Sequence, residues 1–267
     1  MAKENEYLIR FPGGKGLVPI VSRGERGLEL ISFDLLFLHE GDTYSAESGD
    51  DEVALVVLGG RCDVEVNGQD FRGVGEREDV FDGPAACVYA PKDSEFKVSG
   101  LGSVEIAVCK TLARRHTEAA YVPPERVKTM KRGRDNWSRT VHDIVDARVD
   151  AECMLVGETF SPAGNWSSAP PHRHEKDDPP HETKHEEIYY FRTRPRQGFG
   201  IIRLYNDDRS LNETYTVEHN DTVVMLKGYH PTVAGPGYQL YYLWILAGKE
   251  RKVVTRDDPA HEWLKKS

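Results

Sequence analysis

Helical periodicity is nearly absent from this chain, and short apolar runs broken by Gly, Pro, Asn and Asp take its place. EVALVVLGG, CDVEVNGQ, CVYAP, FKVSG and VEIAVCK fill the first half; MLVGETF, EEIYYF, GIIRLYN, TVVML and LYYLWIL fill the second. β-branched and aromatic residues dominate these runs, as they do on pleated surfaces, and the turns between them are tight. Such a pattern forces an all-β fold of antiparallel sandwiches or barrels. With 39% hydrophobic residues among 267, there is enough material for more than one core.

The chain divides in the middle. ARRHTEAAYVPPERVKTMKRGRDNWSR is poor in apolar residues and rich in Pro, Lys and Arg. We expect a first domain over residues 1–115, a linker over 116–139 and a second domain over 140–267. The two halves repeat one plan: strand, glycine turn, strand, a D/P/G element and a closing pair of strands. The basic residues Arg126, Lys128, Lys131, Arg132 and Arg134 read as a solvated linker, because the net charge of −9 opposes a nucleic-acid binder or an anionic-lipid binder. No run of about eighteen apolar residues would span a membrane, and MAKENEYLIRF lacks a signal-peptide core. Cys62, Cys87, Cys109 and Cys153 are scattered through apolar contexts, which suits buried thiols in the cytoplasm.

Chemistry concentrates in one segment. Pro170 to Glu187 reads PPHRHEKDDPPHETKHEE, with four of the ten histidines and no aliphatic or aromatic residue. Nothing in it gains by leaving water, so it cannot be core. Histidine and carboxylate density beside strands points to a metal site. His172 and His174, two apart, share one face of an extended strand. A third ligand comes from Glu186 or Glu187, which face opposite ways; if Glu187 faces inward, so do Tyr189 and Phe191. His230 in GYHP, after the strand TVVML, offers a fourth. His181 and His185 read as exposed loop residues. The first half holds only His39 before His116, so its domain is expected to carry no metal. Three imidazoles and a carboxylate suit one divalent metal ion, Zn²⁺, Mn²⁺, Fe²⁺ or Ni²⁺.

That ligand order resembles the cupins, jelly-roll barrels that hold a divalent metal. GNWSSAPPHRHE, EEIYYF and GYHPTVAGPGYQLYYLWILAG, with RGRDNWSRTVHDI and REDVFDGPAACVYAPKDS earlier, resemble the 5-deoxy-glucuronate isomerase family of bicupins from myo-inositol breakdown. The likeness runs from about residue 55 to 248. It implies two jelly-roll domains in tandem, and His172, His174, Glu187 and His230 as metal ligands. Two departures stand out: a long insert separates His174 from Glu187, and Leu226 occupies the position where the second motif usually has proline.

The resemblance further implies an aldose–ketose isomerisation of 5-deoxy-glucuronate to 5-dehydro-2-deoxy-gluconate, without a redox cofactor. A proton must then move from C2 to C1. Glu158, Tyr205, Tyr241 and Tyr242 are candidates to handle it. Arg203 and Lys227 are candidates for the substrate carboxylate, and Asn165, Trp166 and Ser167 for the pocket mouth. The partner is expected to be a small sugar acid, with no nucleic acid and no membrane; a homo-oligomer is left open. Rival functions are a 4-deoxy-5-keto-uronate isomerase, an Fe-dependent bicupin dioxygenase and a non-catalytic sugar-binding cupin.

Overall fold

A computed structural model describes residues 6–265. The apolar runs are strands, and the described helices are three short 3-10 turns. Among the described residues no helix is long and apolar enough to cross a membrane. The described chain forms two compact units, one of residues 12–128 and 142–156, the other of 6–11, 129–141 and 157–265.

The first unit is built on two antiparallel sheets. The six-stranded sheet runs Ala120–Val122, Cys87–Ala90, Asp51–Gly59, Val104–Leu112, Ile31–Leu38, Gly16–Val21; the four-stranded one runs Thr43–Glu47, Glu95–Gly100, Cys62–Val66, Gln69–Val74. Alternate residues of each turn inward, Val53, Leu55 and Val57 from one sheet and Val64, Val66, Phe96 and Val98 from the other. The resulting core is wholly apolar, while His39 and His116 are exposed. All four cysteines are buried, and none forms a disulfide.

One buried charge in this unit is fully satisfied. The Glu52 carboxylate, at 0% exposure, accepts from the Tyr89 hydroxyl at 2.7 Å, the Thr111 hydroxyl at 3.0 Å, and the backbone N–H groups of Glu152, Cys153 and Met154 at 2.7, 2.8 and 2.7 Å. Five donors replace its lost hydration, the condition under which a buried carboxylate is tolerated.

The second unit carries the histidine segment. Its main sheet runs Leu8–Ile9, Thr222–Met225, His185–Arg194, Gln239–Gly248, then residues 157–161, 139–141 and 129–132. A four-stranded sheet runs Trp166–Ser167, Thr232–Ala234, Gly200–Tyr205, Asn212–Val217, and His172–Arg173 pairs with Arg256–Asp257. Residues 6–11 belong here because Leu8 pairs with Val223 and Ile9 with Thr222. The stretch expected as a linker holds ordered strands: Ala120–Val122 pairs with Cys87–Ala90, and residues 129–132 close the main sheet.

Register sets the faces. Glu187 lies opposite Leu246, Tyr189 opposite Trp244, and Phe191 opposite Tyr242, so these six side chains share one face of the main sheet. Tyr189, Phe191 and Tyr242 join Ile202, Leu204 and Val217 in the core of this unit.

Candidate metal centre

His174, Glu187 and His230 converge, each buried, with candidate ligand atoms within 4.8 Å of one another. Glu187 Oε2 stands 3.0 Å from His174 Nε2 and 3.3 Å from His230 Nε2. It is Glu187 that faces these imidazoles, on the same side as Tyr189. His172 is half-buried beside them, its ring centroid 4.8 Å from that of His230.

The His174 and His230 imidazoles are each oriented by a backbone group. His174 Nδ1 lies 3.0 Å from the His185 carbonyl, and His230 Nδ1 lies 3.2 Å from the Gly228 carbonyl. A carbonyl only accepts, so both Nδ1 atoms carry a proton; His230 Nε2 then presents its lone pair, while His174 Nε2 faces the Glu187 carboxylate at 3.0 Å, which stabilises a proton on it. This is the outer arrangement that fixes metal-binding histidines.

The loop before His230 needs a glycine. Gly228 has φ +83°, and a Cβ there would meet the Tyr205 carbonyl oxygen at 2.7 Å. Its N–H donates to Glu175 Oε2 at 2.7 Å, which ties the loop of His230 to the segment of His172 and His174. Between those histidines Arg173 points the other way, buried against Glu182 (3.3 Å) and Glu175 (3.5 Å). Glu182 in turn accepts the N–H of Glu175 at 2.7 Å and of Lys176 at 3.1 Å. The long insert is therefore pinned to the site by its own carboxylates.

Electrostatics favour neutral imidazoles at two positions. Burial, then the charge of His174, pulls His172 down to about 3. Burial, then His172, does the same to His230. His174 differs: burial lowers it, but the hydrogen bond and charge of Glu187 outweigh burial and raise it.

The donor set fits a divalent ion on the structure's own terms. His230 Nε2 is buried with no hydrogen-bond partner among the described residues, and buried polar atoms are rarely left so. A cation facing that lone pair and the Glu187 carboxylate satisfies both.

A cavity of about 330 Å³ reaches the cluster at Glu187 and is lined by His172, Tyr189, Tyr242, Thr159 and Arg139 among others, a volume suited to a small polar ligand. Tyr242 stacks on Tyr189 at 4.2 Å between centroids. Ser168 Oγ lies 3.1 Å from the Tyr189 hydroxyl. Burial raises both phenols, Tyr189 the more strongly, so both stay protonated.

Other expected residues lie elsewhere. Glu158 is fully buried and accepts from the Tyr241 hydroxyl at 2.9 Å. It occupies the opposite sheet face from its neighbour Thr159, because adjacent strand residues alternate. Arg203 donates to Asn212 Oδ1 at 3.1 and 2.8 Å and stacks 4.4 Å over Tyr205. Tyr205 donates to Asp258 at 2.8 Å. Arg203, Tyr205 and Trp166 line a separate cavity, and Lys227 is exposed. Asn165 is spent on the carbonyls of Asp135 (3.2 Å) and Ser138 (2.8 Å). His185, expected in an exposed loop, is buried in a strand, its Nε2 2.9 Å from the Glu250 carbonyl. Arg132, Arg139 and Lys265 are the cations on the cavity wall; the first two fall in the stretch that composition marks as a linker.

Comparisons with known proteins agree with one another. Residues 10–264 match the model of the KduI/IolB family. The chain is 39% identical over 257 residues to a 5-deoxy-glucuronate isomerase of Geobacillus thermodenitrificans, covering 96% of this chain and 94% of that protein. It is 36% identical over 266 residues to a 5-deoxy-glucuronate isomerase of Bacillus subtilis strain 168, covering 97% and 98%. The crystal structure of an IolB-like protein from Salmonella typhimurium LT2 superposes with a TM-score of 0.94 at 34% identity, over 97% of this chain and 99% of that one. A mutant of Bacillus subtilis oxalate decarboxylase superposes at 0.67 with 12% identity, over 96% and 80%, a likeness of fold. The architecture is a bicupin.

Proposed function

This chain belongs to the KduI/IolB family, and from that membership we propose that it is a metal-dependent aldose–ketose isomerase converting 5-deoxy-glucuronate to 5-dehydro-2-deoxy-gluconate. One observation carries the reading. Glu187, which forms a buried cluster with His174 and His230, lines a small-molecule cavity together with His172, and the His230 Nε2 is unsatisfied among the described residues. The family relatives named above are isomerases of that sugar acid, and the site chemistry suits them.

We assign the metal to His172, His174, Glu187 and His230, of which His172 stands at the cavity side. A divalent ion there, Zn²⁺, Mn²⁺, Fe²⁺ or Ni²⁺ by donor type, supplies Lewis acidity toward adjacent carbonyl and hydroxyl oxygens of a sugar. The remaining work belongs to the chain. Aldose–ketose isomerisation moves one proton from C2 to C1 and a second from the C2 hydroxyl to the C1 oxygen; the oxidation at C2 is balanced by the reduction at C1, so no redox partner is required. Negative charge builds on oxygen as the proton leaves carbon. Tyr242 and Tyr189, held protonated on the cavity wall and stacked on each other, present hydroxyl donors to that oxygen. The apolar faces of Trp244 and Leu246 limit water in the cavity.

The test is an NMR assay of purified, metal-analysed protein with 5-deoxy-glucuronate under anaerobic conditions. Conversion to the ketose, lost on chelation and restored by metal, is expected. A requirement for O₂ would transfer the site to dioxygenase chemistry, and inertness at full metal occupancy would make it a binding module.

A further inference from the structure

We propose that Arg139, backed by Arg132 at the cavity mouth, forms the carboxylate-binding element of this cavity and selects sugar acids over neutral sugars. The assignment rests on the isomerase reading for the identity of the sugar, and on the geometry for everything else.

Arg139 opens the strand Arg139–Val145 and is half-buried on the cavity wall. Its Nη1 donates to the carbonyls of Trp137 at 3.2 Å and Ala169 at 3.4 Å. Those contacts hold the guanidinium by one corner. Nε and Nη2 make no hydrogen bond to another described residue, and together they form the edge of the fork that matches a carboxylate bidentately. The guanidinium lies 5.8 Å over the Trp137 ring, which fixes its plane.

The turn before it is shaped to keep it there. Gly133 has φ +72°, and a Cβ would stand 2.7 Å from Arg139 Nη1 and 2.2 Å from the Trp137 carbonyl oxygen. Any side chain at 133 would displace both the arginine and the group that anchors it.

The charge inventory of the wall points the same way. Five ionisable groups other than histidine and tyrosine line it: Glu187, Asp257, Lys265, Arg132 and Arg139. Glu187 is engaged with His174 and His230, and Asp257 is paired with Lys265. Neither arginine has a carboxylate partner among the described residues. Burial, and then the like charge of Arg132, lower the pKa of Arg139. Two neighbouring guanidinium groups that repel each other and lack a counterion gain most from an anion placed between them. The charge of Arg139 is also felt by His172 and by Tyr242, so an anion bound there shares the cavity with the proposed metal and its phenols. A sugar acid can thus be gripped at its carboxylate end by Arg139 while its other end faces Glu187.

The experiment uses metal-loaded protein and two probes, D-glucuronate and neutral D-glucose, with binding followed by calorimetry and metal content measured in parallel. Arg139→Gln should weaken glucuronate by about 10- to 100-fold, the loss expected for a charge-assisted pair, and leave glucose and metal unchanged. Arg139→Lys, which keeps the charge without the fork, should fall between. Arg132→Gln, at an exposed position, should weaken glucuronate alone by a smaller factor. Glucuronate binding unchanged in Arg139→Gln at full metal content overturns the proposal, as does failure of the wild type to prefer glucuronate over glucose. Should Arg139→Gln lose its metal, unchanged glucuronate binding in both Arg139→Lys and Arg132→Gln overturns it equally. The two readings separate cleanly. Glucuronate binding lost in Arg139→Gln without wild-type turnover of 5-deoxy-glucuronate removes the isomerase and keeps the clamp; turnover with an unchanged KM in Arg139→Gln does the reverse.

Discussion

His230 gives its Nδ1 proton to the Gly228 carbonyl at 3.2 Å, and that contact leaves Nε2 as the bare nitrogen facing Glu187. Gly228 is fixed in turn by Glu175, a residue of the insert that follows His174. The ligand-bearing segments, more than fifty residues apart in the chain, are therefore set by one short relay of hydrogen bonds.

Tyr242→Phe removes a hydroxyl from the cavity and keeps the stacking on Tyr189. Its kcat should fall by about 10²-fold, in the range of a positioned proton donor, with KM and metal content unchanged. Steady-state kinetics beside metal analysis checks this, and an unaltered kcat would take Tyr242 out of the chemistry.

Glu158→Gln and Arg203→Ala should leave kcat/KM within about threefold of wild type, less than 1 kcal/mol, because Glu158 faces the other side of its sheet and Arg203 lines a different cavity. A large loss in either would place it in the reaction.

Glu52→Gln puts an amide NH₂ where five donors now converge, leaving at least one buried N–H opposed by another donor. The loss should be about 3 kcal/mol, read as a lower denaturation midpoint of the first unit. An unchanged midpoint would mean that the five hydrogen bonds add nothing net.

Asp221 governs a pH effect. It is 3% exposed, and burial pushes its carboxyl up from 3.8 to about 6 despite the Glu218 N–H at 2.6 Å and the Arg10 guanidinium. The folded chain then binds this proton more tightly than the unfolded one. Its contribution is most favourable below about pH 4 and is lost as pH rises through 6. Relative to Asp221→Asn, the wild type should lose on the order of 2 kcal/mol between pH 4 and pH 7. Denaturation curves of both proteins across that range would show it; a constant difference would contradict it.

Alternation made most of the barrels legible. Period two in EEIYYF places Glu187 with Tyr189 and Phe191, and the cross-strand register of Gln239–Gly248 agrees. The density of histidine and carboxylate in residues 170–187 drew attention to His174 and Glu187, which cluster with His230, but that much of the segment is buried did not show in its polar composition. Arg139 was not, since its role depends on the turn at Gly133 and on Trp137, neither of which shows in the basic composition around it. Arg203 and Lys227 lie near the ligand strands in sequence, but strand alternation and the tight Gly228 turn aim them elsewhere. His185 was misread as a loop residue, because the Glu250 carbonyl that buries it is sixty-five positions away.

The central claim is that three imidazoles and Glu187 hold the ion on which turnover depends. Metal content and 5-deoxy-glucuronate turnover, measured together on wild type, His174→Ala, His230→Ala and Glu187→Gln with folding monitored by circular dichroism, test it most directly. Loss of both metal and turnover in all three variants, with the β spectrum retained, is expected. Stoichiometric metal, or wild-type turnover, in any one of them would contradict it.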